Sequence, residues 1–252
     1  MRRNKTAVIV ETRKHKALEF VLNNVATNLN DDWGIQIFYG RGNDEYIKNI
    51  ITKNNLENRI FCSKLDVDEL PHDDYVKLFS SADFWNTCLG ETILIFQVDS
   101  MLCPNSEFDI SDFEHFDYIG GYWGNTEYPL DEEYPVVMNG GLSIRKKQFM
   151  LDIIKNKLKP YLENGGNPCE DYFVSACLEN KPTTREVRNF VIDNGYISPL
   201  NGKAPFGLHS SWGTNPSKGQ GRYYEEIKKV CPEIETLKSL QYIETEKQWW
   251  EE

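Results

Sequence analysis

The first hundred residues alternate short apolar runs with amphipathic stripes, and that rhythm constrains the fold more than any other feature. Residues 7–11 form a short β-branched run, and Leu18, Val21, Leu22, Val25 and Leu29 then recur at helical spacing. Residues 35–39 read as a second strand closed by Gly40, and Tyr46, Ile47, Ile50 and Ile51 mark a second helix. A third strand is expected at 59–63, with helices at 75–79 and 83–89. Residues 92–98, Thr-Ile-Leu-Ile-Phe-Gln-Val, are apolar on both faces, as in a central parallel strand covered on each side. Such alternation predicts an α/β sheet with right-handed crossovers.

The pattern loosens after Ser100. Strands are expected at 117–121 and 136–144, helices at about 146–157 and 170–179, and a further strand at 187–192. Residues 195–221 hold six glycines with Pro199, Pro205 and Pro216, which reads as one long loop. Residues 222–248 read as polar helix, ending in Gln-Trp-Trp-Glu-Glu, a docked or frayed terminus. At 252 residues the chain can bury a core without disulfides, so a single domain is expected. Lys and Arg number 28 against 39 Asp and Glu, a net charge of −11, which argues against a protein that grips nucleic acid or an anionic membrane. No apolar run reaches the roughly 20 residues of a transmembrane helix, and the stretch behind the basic N-terminus is too short for a secretion signal. A cytoplasmic location and six reduced cysteines, with no CxxC pair or zinc spacing, are therefore expected.

Four segments carry residues suited to chemistry. Gln97 and Asp99 fall where a buried strand should end, the position at which open α/β sheets bind ligands. A carboxylate there suits Mg²⁺ or Mn²⁺, or simply caps the next turn. Asn139, Gly140 and Gly141 interrupt a strand pattern, which implies close approach of a ligand or a bulge. Asn139 would offer its amide to sugar hydroxyls. In Asn167-Pro-Cys-Glu-Asp171 the order suits a helix start with Glu170 as the capping acid, leaving Asp171 as a general base or a first-turn acid. His209 lies in a Gly-containing loop before Trp212, placed for metal ligation beside an aromatic wall or for an ordinary loop hydrogen bond.

Taken in order, these segments resemble a glycosyltransferase of the GT-A type, and more narrowly an uncharacterised GT-A-like family of bacteria, fungi and large DNA viruses. The pieces are Glu11-Thr-Arg with His15 and Ala17-Leu-Glu-Phe-Val-Leu, Ile35-Gln-Ile-Phe, Phe84-Trp85, Ile95-Phe-Gln-Val-Asp-Ser100, Asp117-Tyr-Ile-Gly120, Asn139-Gly-Gly-Leu-Ser143, Glu170-Asp171 and Pro205-Phe-Gly-Leu-His209 with Trp212. The resemblance implies a single GT-A-like, Rossmann-like domain over 1–252, with a mostly parallel mixed central sheet flanked by helices. Residues 1–100 would form its nucleotide-binding half, 101–221 its acceptor and sugar half, and 222–252 a helical tail.

The resemblance also implies roles. Asp99 and His209 would ligate Mn²⁺ or Mg²⁺ on the donor diphosphate, with Gln97 in place of the first acid of the family's Asp-x-Asp element. Thr12 and Arg13 would border the nucleotide. Asn139, Gly140 and Gly141 would lie beside the transferred sugar, with Trp212 also lining the donor site. Glu170 and Asp171 would lie near the acceptor, where inverting members keep their base. Tyr122, Trp123 and Trp212 are candidates for stacking on sugar or base, or for the core. The implied reaction moves a sugar from a UDP- or GDP-linked donor to a glycan or other hydroxyl acceptor. Two other readings stand beside it: a nucleotidyltransferase, disfavoured because Glu11-Thr-Arg-Lys-His-Lys16 lacks glycine, and a non-catalytic sugar- or nucleotide-binding module.

Overall fold

The computed structural model describes residues 4–213 and 215–241. Its centre is one nine-stranded mixed sheet. The first half forms as its periodicity predicts. Strand β1 (Lys5–Val10) leads through helix α1 (Leu18–Asn28) to β2 (Trp33–Tyr39), and α2 (Asp44–Lys53) leads to β3 (Ile60–Lys64). Leu18, Val21, Leu22 and Val25 make the buried stripe of α1, and Ile47, Ile50 and Ile51 that of α2. Helices α3 (His72–Phe79) and α4 (Ala82–Thr87) precede β4 (Thr92–Phe96), every residue of which is buried.

Strand order decides where a ligand can sit. From one edge it runs β3, β2, β1, β4, with all three pairings parallel. The chain thus steps outward from β1 to β3 and returns to β4 on the other side of β1. Between β1 and β4 lies a topological switch point, whose crevice opens at the carboxyl ends of both strands. Residues 11–13 and 97–99 line that end.

The second half completes the sheet. Strand β5 (Ser100–Leu102), β6 (Tyr118–Tyr122) and β7 (Met138–Lys146) are followed by α5 (Lys147–Asn156), α6 (Leu158–Glu163), α7 (Glu170–Cys177), α8 (Thr184–Phe190), β8 (Val191–Asp193) and β9 (Gly207–His209). β7 lies antiparallel between β4 and β6, β8 and β9 add parallel strands, and β5 closes the far edge against β9. Mostly parallel pairing, with β7 and β5 reversed, is the mixed sheet the sequence led us to expect.

Three local expectations are corrected. The strand expected at 187–192 is helix up to Phe190, because Thr183 and Glu186 form a reciprocal capping box that starts α8. The stretch 195–221 is not one loop, since β9 crosses it and pairs with both β5 and β8. The polar helix expected at 222–248 is two, α9 (Tyr224–Val230) and α10 (Ile234–Gln241), divided at Pro232. Residues 242–252, with the Gln-Trp-Trp-Glu-Glu end, lie outside the described residues. All six cysteines are free thiols, and no helix among the described residues is long and apolar enough to cross a membrane.

Candidate active site

The segment after β4 turns sharply, with Ser100 donating its hydroxyl and amide to the Gln97 carbonyl. This turn sends the side chains of Gln97 and Asp99 toward the end of β9. There the His209 Nε2 lies 3.2 Å from Gln97 Oε1 and 3.3 Å from Asp99 Oδ1. On the other side of the ring, Nδ1 is 2.7 Å from Asp193 Oδ1, and Asp193 is fully buried at the end of β8. Parallel pairing sets Asp193 opposite His209, so the sheet itself fixes this contact. Ser210, at φ 47°, donates its hydroxyl to Asp99 Oδ2 and its amide to the Asp99 carbonyl. Asp99 is thus no turn cap.

Electrostatics tie these groups together. Burial opposes charge on His209, but Asp99 and Asp193 outweigh it and hold the imidazole well above its ordinary range. Burial likewise opposes the Asp99 carboxylate, yet His209 and the Ser210 hydroxyl hold it below the usual carboxylate range. An imidazole backed by a carboxylate, with a second carboxylate and an amide oxygen converging on its other nitrogen, is a donor set for a divalent cation. Gly141 lets the ring approach β7, because a Cβ there would stand 2.3 Å from His209 Nε2. Gly141→Ala is therefore expected to displace His209 while the fold persists, and, if this donor set holds Mn²⁺, to weaken that binding by about 10–100-fold. Manganese titration followed by electron paramagnetic resonance checks this; unchanged affinity would remove Gly141 and His209 from the cation site.

A second cluster adjoins the first through Tyr75, whose hydroxyl accepts a 2.8 Å bond from Gln97 Nε2. Its centre is Arg145, fully buried in β7. The guanidinium donates to Glu170 Oε1 at 3.0 Å and lies 3.7 Å from Asp171 Oδ1. Tyr118, Phe79 and Trp85 surround its carbon at 5.3, 5.4 and 5.8 Å. A Cβ on Gly140 would stand 2.0 Å from Arg145 Nη2, so this glycine makes room for the guanidinium. Burial and the neighbouring Glu170 push the Asp171 carboxyl well above its usual range, against the pull of Arg145. Asp171 Oδ1 is buried and accepts no hydrogen bond. Cys169, Glu170 and Asp171 stand close enough to share a cation, but Arg145 already supplies the positive charge there. Glu170 heads α7 and turns to Arg145, which corrects the capping role; the N-cap is Cys169.

The remaining expected residues scatter. Arg13 is paired in two-point contact with Glu11, and Thr12 Oγ1 accepts from the Leu70 amide; both border the crevice at the end of β1. Asn43, which the sequence reading passed over, pins this loop by donating to the Glu11 and Arg13 carbonyls. Asn139 turns its carbonyl back onto the Gly141 amide. Trp212 and Tyr122 are packed into the core, whereas Trp123 remains partly exposed. A surface depression of ≈ 440 Å³ lined by Glu91, Asp117, Lys146 and Phe149 lies at the Lys146 end of β7 and takes in no side chain of either cluster. Asp193, Arg145 and Tyr75 carry no motif; only the folded sheet brings them to the site.

The family model of DUF5672, a protein family of unknown function, matches residues 55–209. The chain belongs to the DUF5672 family. No curated protein matches this DUF5672 chain significantly. Among solved structures, the apo form of the glycosyltransferase GlyE of Streptococcus pneumoniae TIGR4 superposes with a TM-score of 0.54 at 12% identity. The alignment covers 95% of the DUF5672 chain and 64% of GlyE, so the chain spans less than two thirds of that relative's length. The galactosyltransferase LgtC, solved with donor and acceptor sugar analogues, superposes with a TM-score of 0.53 at 10% identity, covering 98% of this chain and 99% of LgtC. At such identities the likeness is one of fold, and the fold is that of GT-A glycosyltransferases.

Proposed function

We propose that this protein is a glycosyltransferase that moves a sugar from a nucleotide-diphosphate donor to an acceptor hydroxyl. The observation that carries this reading is the convergence of Gln97, Asp99 and His209 at the switch-point end of the sheet, with Asp193 behind the imidazole. In this reading Asp99 and His209 hold Mn²⁺ or Mg²⁺, with the Gln97 amide oxygen as a third donor. Such a cation neutralises the charge that builds on the departing diphosphate. A chain of net charge −11 has little positive field of its own for that task.

The other roles belong to this chain's own side chains. Thr12 and Arg13 border the nucleotide and Asn139 lies beside the transferred sugar, whereas Gly140 and Gly141 make room for Arg145 and His209 rather than for the sugar itself. Asp171 is the base that takes the acceptor proton as the hydroxyl attacks C1 from the face opposite the diphosphate, whose bond to C1 breaks, and this single displacement inverts the anomeric carbon. Arg145, which faces both Asp171 and Glu170, fixes the position of that base.

A thermal-shift panel of UDP, GDP and their sugars, with and without Mn²⁺, tests the donor site. One nucleotide at about 100 times its Kd should add about 2.7 kcal/mol, roughly 5–10 °C in Tm at this chain length, and only with the cation present. Asp171→Asn should then leave that shift intact and lower transfer by about 10²–10⁴-fold. No shift with any nucleotide would count against the transferase. A nucleotide shift with no transfer to lose would favour a binding module instead.

A further inference from the structure

Two aromatic side chains stand at the exposed edge of the site, outside both clusters. Tyr172 is 36% exposed and Trp123 is partly exposed; their rings meet edge to face, with centroids 5.7 Å apart at 75°. Tyr172 follows Asp171 in the first turn of α7. Trp123 follows Tyr122, which pairs with Ile192 of β8, and the next residue of β8 is Asp193 behind His209. The chain positions of the pair thus adjoin Asp171 on one side and, through Tyr122 and β8, the strand that carries Asp193 on the other. Large aromatic rings left at the surface of such an edge mark a contact for something outside the chain.

Trp123 is held in place before any ligand arrives. The Tyr134 hydroxyl accepts from the Trp123 amide at 3.0 Å and donates to its carbonyl at 2.7 Å. Tyr134 is itself buried and packed against Tyr122 and Tyr128. A platform fixed in this way loses little entropy on binding.

Charge narrows the occupant. The acids beside the platform, Glu170 and Asp171, are buried and turned to Arg145, so the edge presents no free carboxylate to a cationic ligand. Arg145 is enclosed and not presented to an anion. A neutral ligand with both an apolar face and hydroxyls fits best. A pyranose has this combination: its axial C–H bonds pack on the negative face of an aromatic ring, and its hydroxyls donate to carboxylate oxygens.

We infer that Trp123 and Tyr172 form the platform for the acceptor and that the acceptor is a carbohydrate rather than a protein hydroxyl, an inference that rests on the transferase reading above. Saturation-transfer NMR on the full chain tests it, with the methyl glycosides of glucose, galactose, mannose and N-acetylglucosamine and a capped Gly-Ser-Lys-Gly peptide as probes. At least one glycoside should receive saturation on the C–H bonds of one ring face. That signal should fall about fivefold or more in both Trp123→Ala and Tyr172→Ala, as expected for loss of one aromatic contact.

Saturation of the peptide alone, no glycoside signal, or a glycoside signal that survives both substitutions overturns the inference. Tyr172 is exposed enough for its variant to fold even if the Trp123 variant does not. The UDP and GDP thermal shift with Mn²⁺, run on the same proteins, separates the two readings. A nucleotide shift kept in variants that have lost the glycoside supports the platform. Glycoside binding in a wild-type protein that shows no nucleotide shift leaves the platform standing and removes the transferase.

Discussion

On the proposed transferase reading, replacing Asp99 with alanine is expected to abolish Mn²⁺ binding at micromolar protein and to lower sugar transfer by about 10²–10³-fold. The reason is local. Asp99 is the only carboxylate that faces the Nε2 side of His209 among the contacts described, and Ser210 fixes its orientation. The variant also removes one of the two carboxylates that raise His209, leaving Asp193, so its imidazole should titrate at lower pH. In the wild type the proton on Nε2 must leave before a cation enters, so cation affinity should rise with pH. Manganese titrations at several pH values read both effects. A variant that binds Mn²⁺ as the wild type does would sink the proposed cation site.

Arg145→Leu is expected to destabilise the protein by about 3–5 kcal/mol at neutral pH, because two buried carboxyls lose the enclosed cation that faces them both. For a chain of this size that is a fall of roughly 10 °C or more in Tm. The sign of the pH dependence follows from linkage. Burial and Glu170 already hold the folded Asp171 carboxyl above its usual range against the pull of Arg145, so without the guanidinium it binds its proton more tightly still than the unfolded chain does. Stability of the variant should therefore rise as pH falls from 7 toward 5 and be lost as pH rises through the raised folded value. Adding Glu170→Gln and Asp171→Asn to the variant should recover part of the loss and flatten this slope. Calorimetry across that range measures it. A loss under about 1 kcal/mol with no pH slope would mean that water already solvates the cluster.

How much could be read beforehand differs between the halves. In the first, each strand and helix has its own complete signal. Leu18 through Leu29 repeat at helical spacing, and residues 92–96 are apolar on both faces because both faces are covered. In the second half local signals compete. Residues 187–190 have strand-like composition, yet the Thr183–Glu186 capping box draws them into a helix. The three residues of β9 are too few to show a period, and they form a strand only because β5 and β8 offer hydrogen bonds on both sides.

The site follows the same division. Asp99 stands out because an acid ends a buried apolar run, and Gly140-Gly141 because glycine in a strand needs a reason. Nothing local singles out Asp193 or Arg145. An Asp at the end of a three-residue strand and an Arg inside a β-strand look like surface residues until the sheet closes over them. Trp123 and Trp212 could not be told apart by sequence, since whether an indole is covered depends on what other segments lay across it.

The sequence by itself determined the α/β class, the parallel first half and the strand end that carries Gln97 and Asp99, because periodicity and burial of one chain segment suffice for those. Tertiary structure alone decided that Asp99 meets His209, a residue 110 positions away, that Asp193 backs the imidazole, and that one guanidinium serves two carboxyls. Those contacts depend on strand order and register. Order and register are set by the joint packing of the whole sheet, which no single segment encodes.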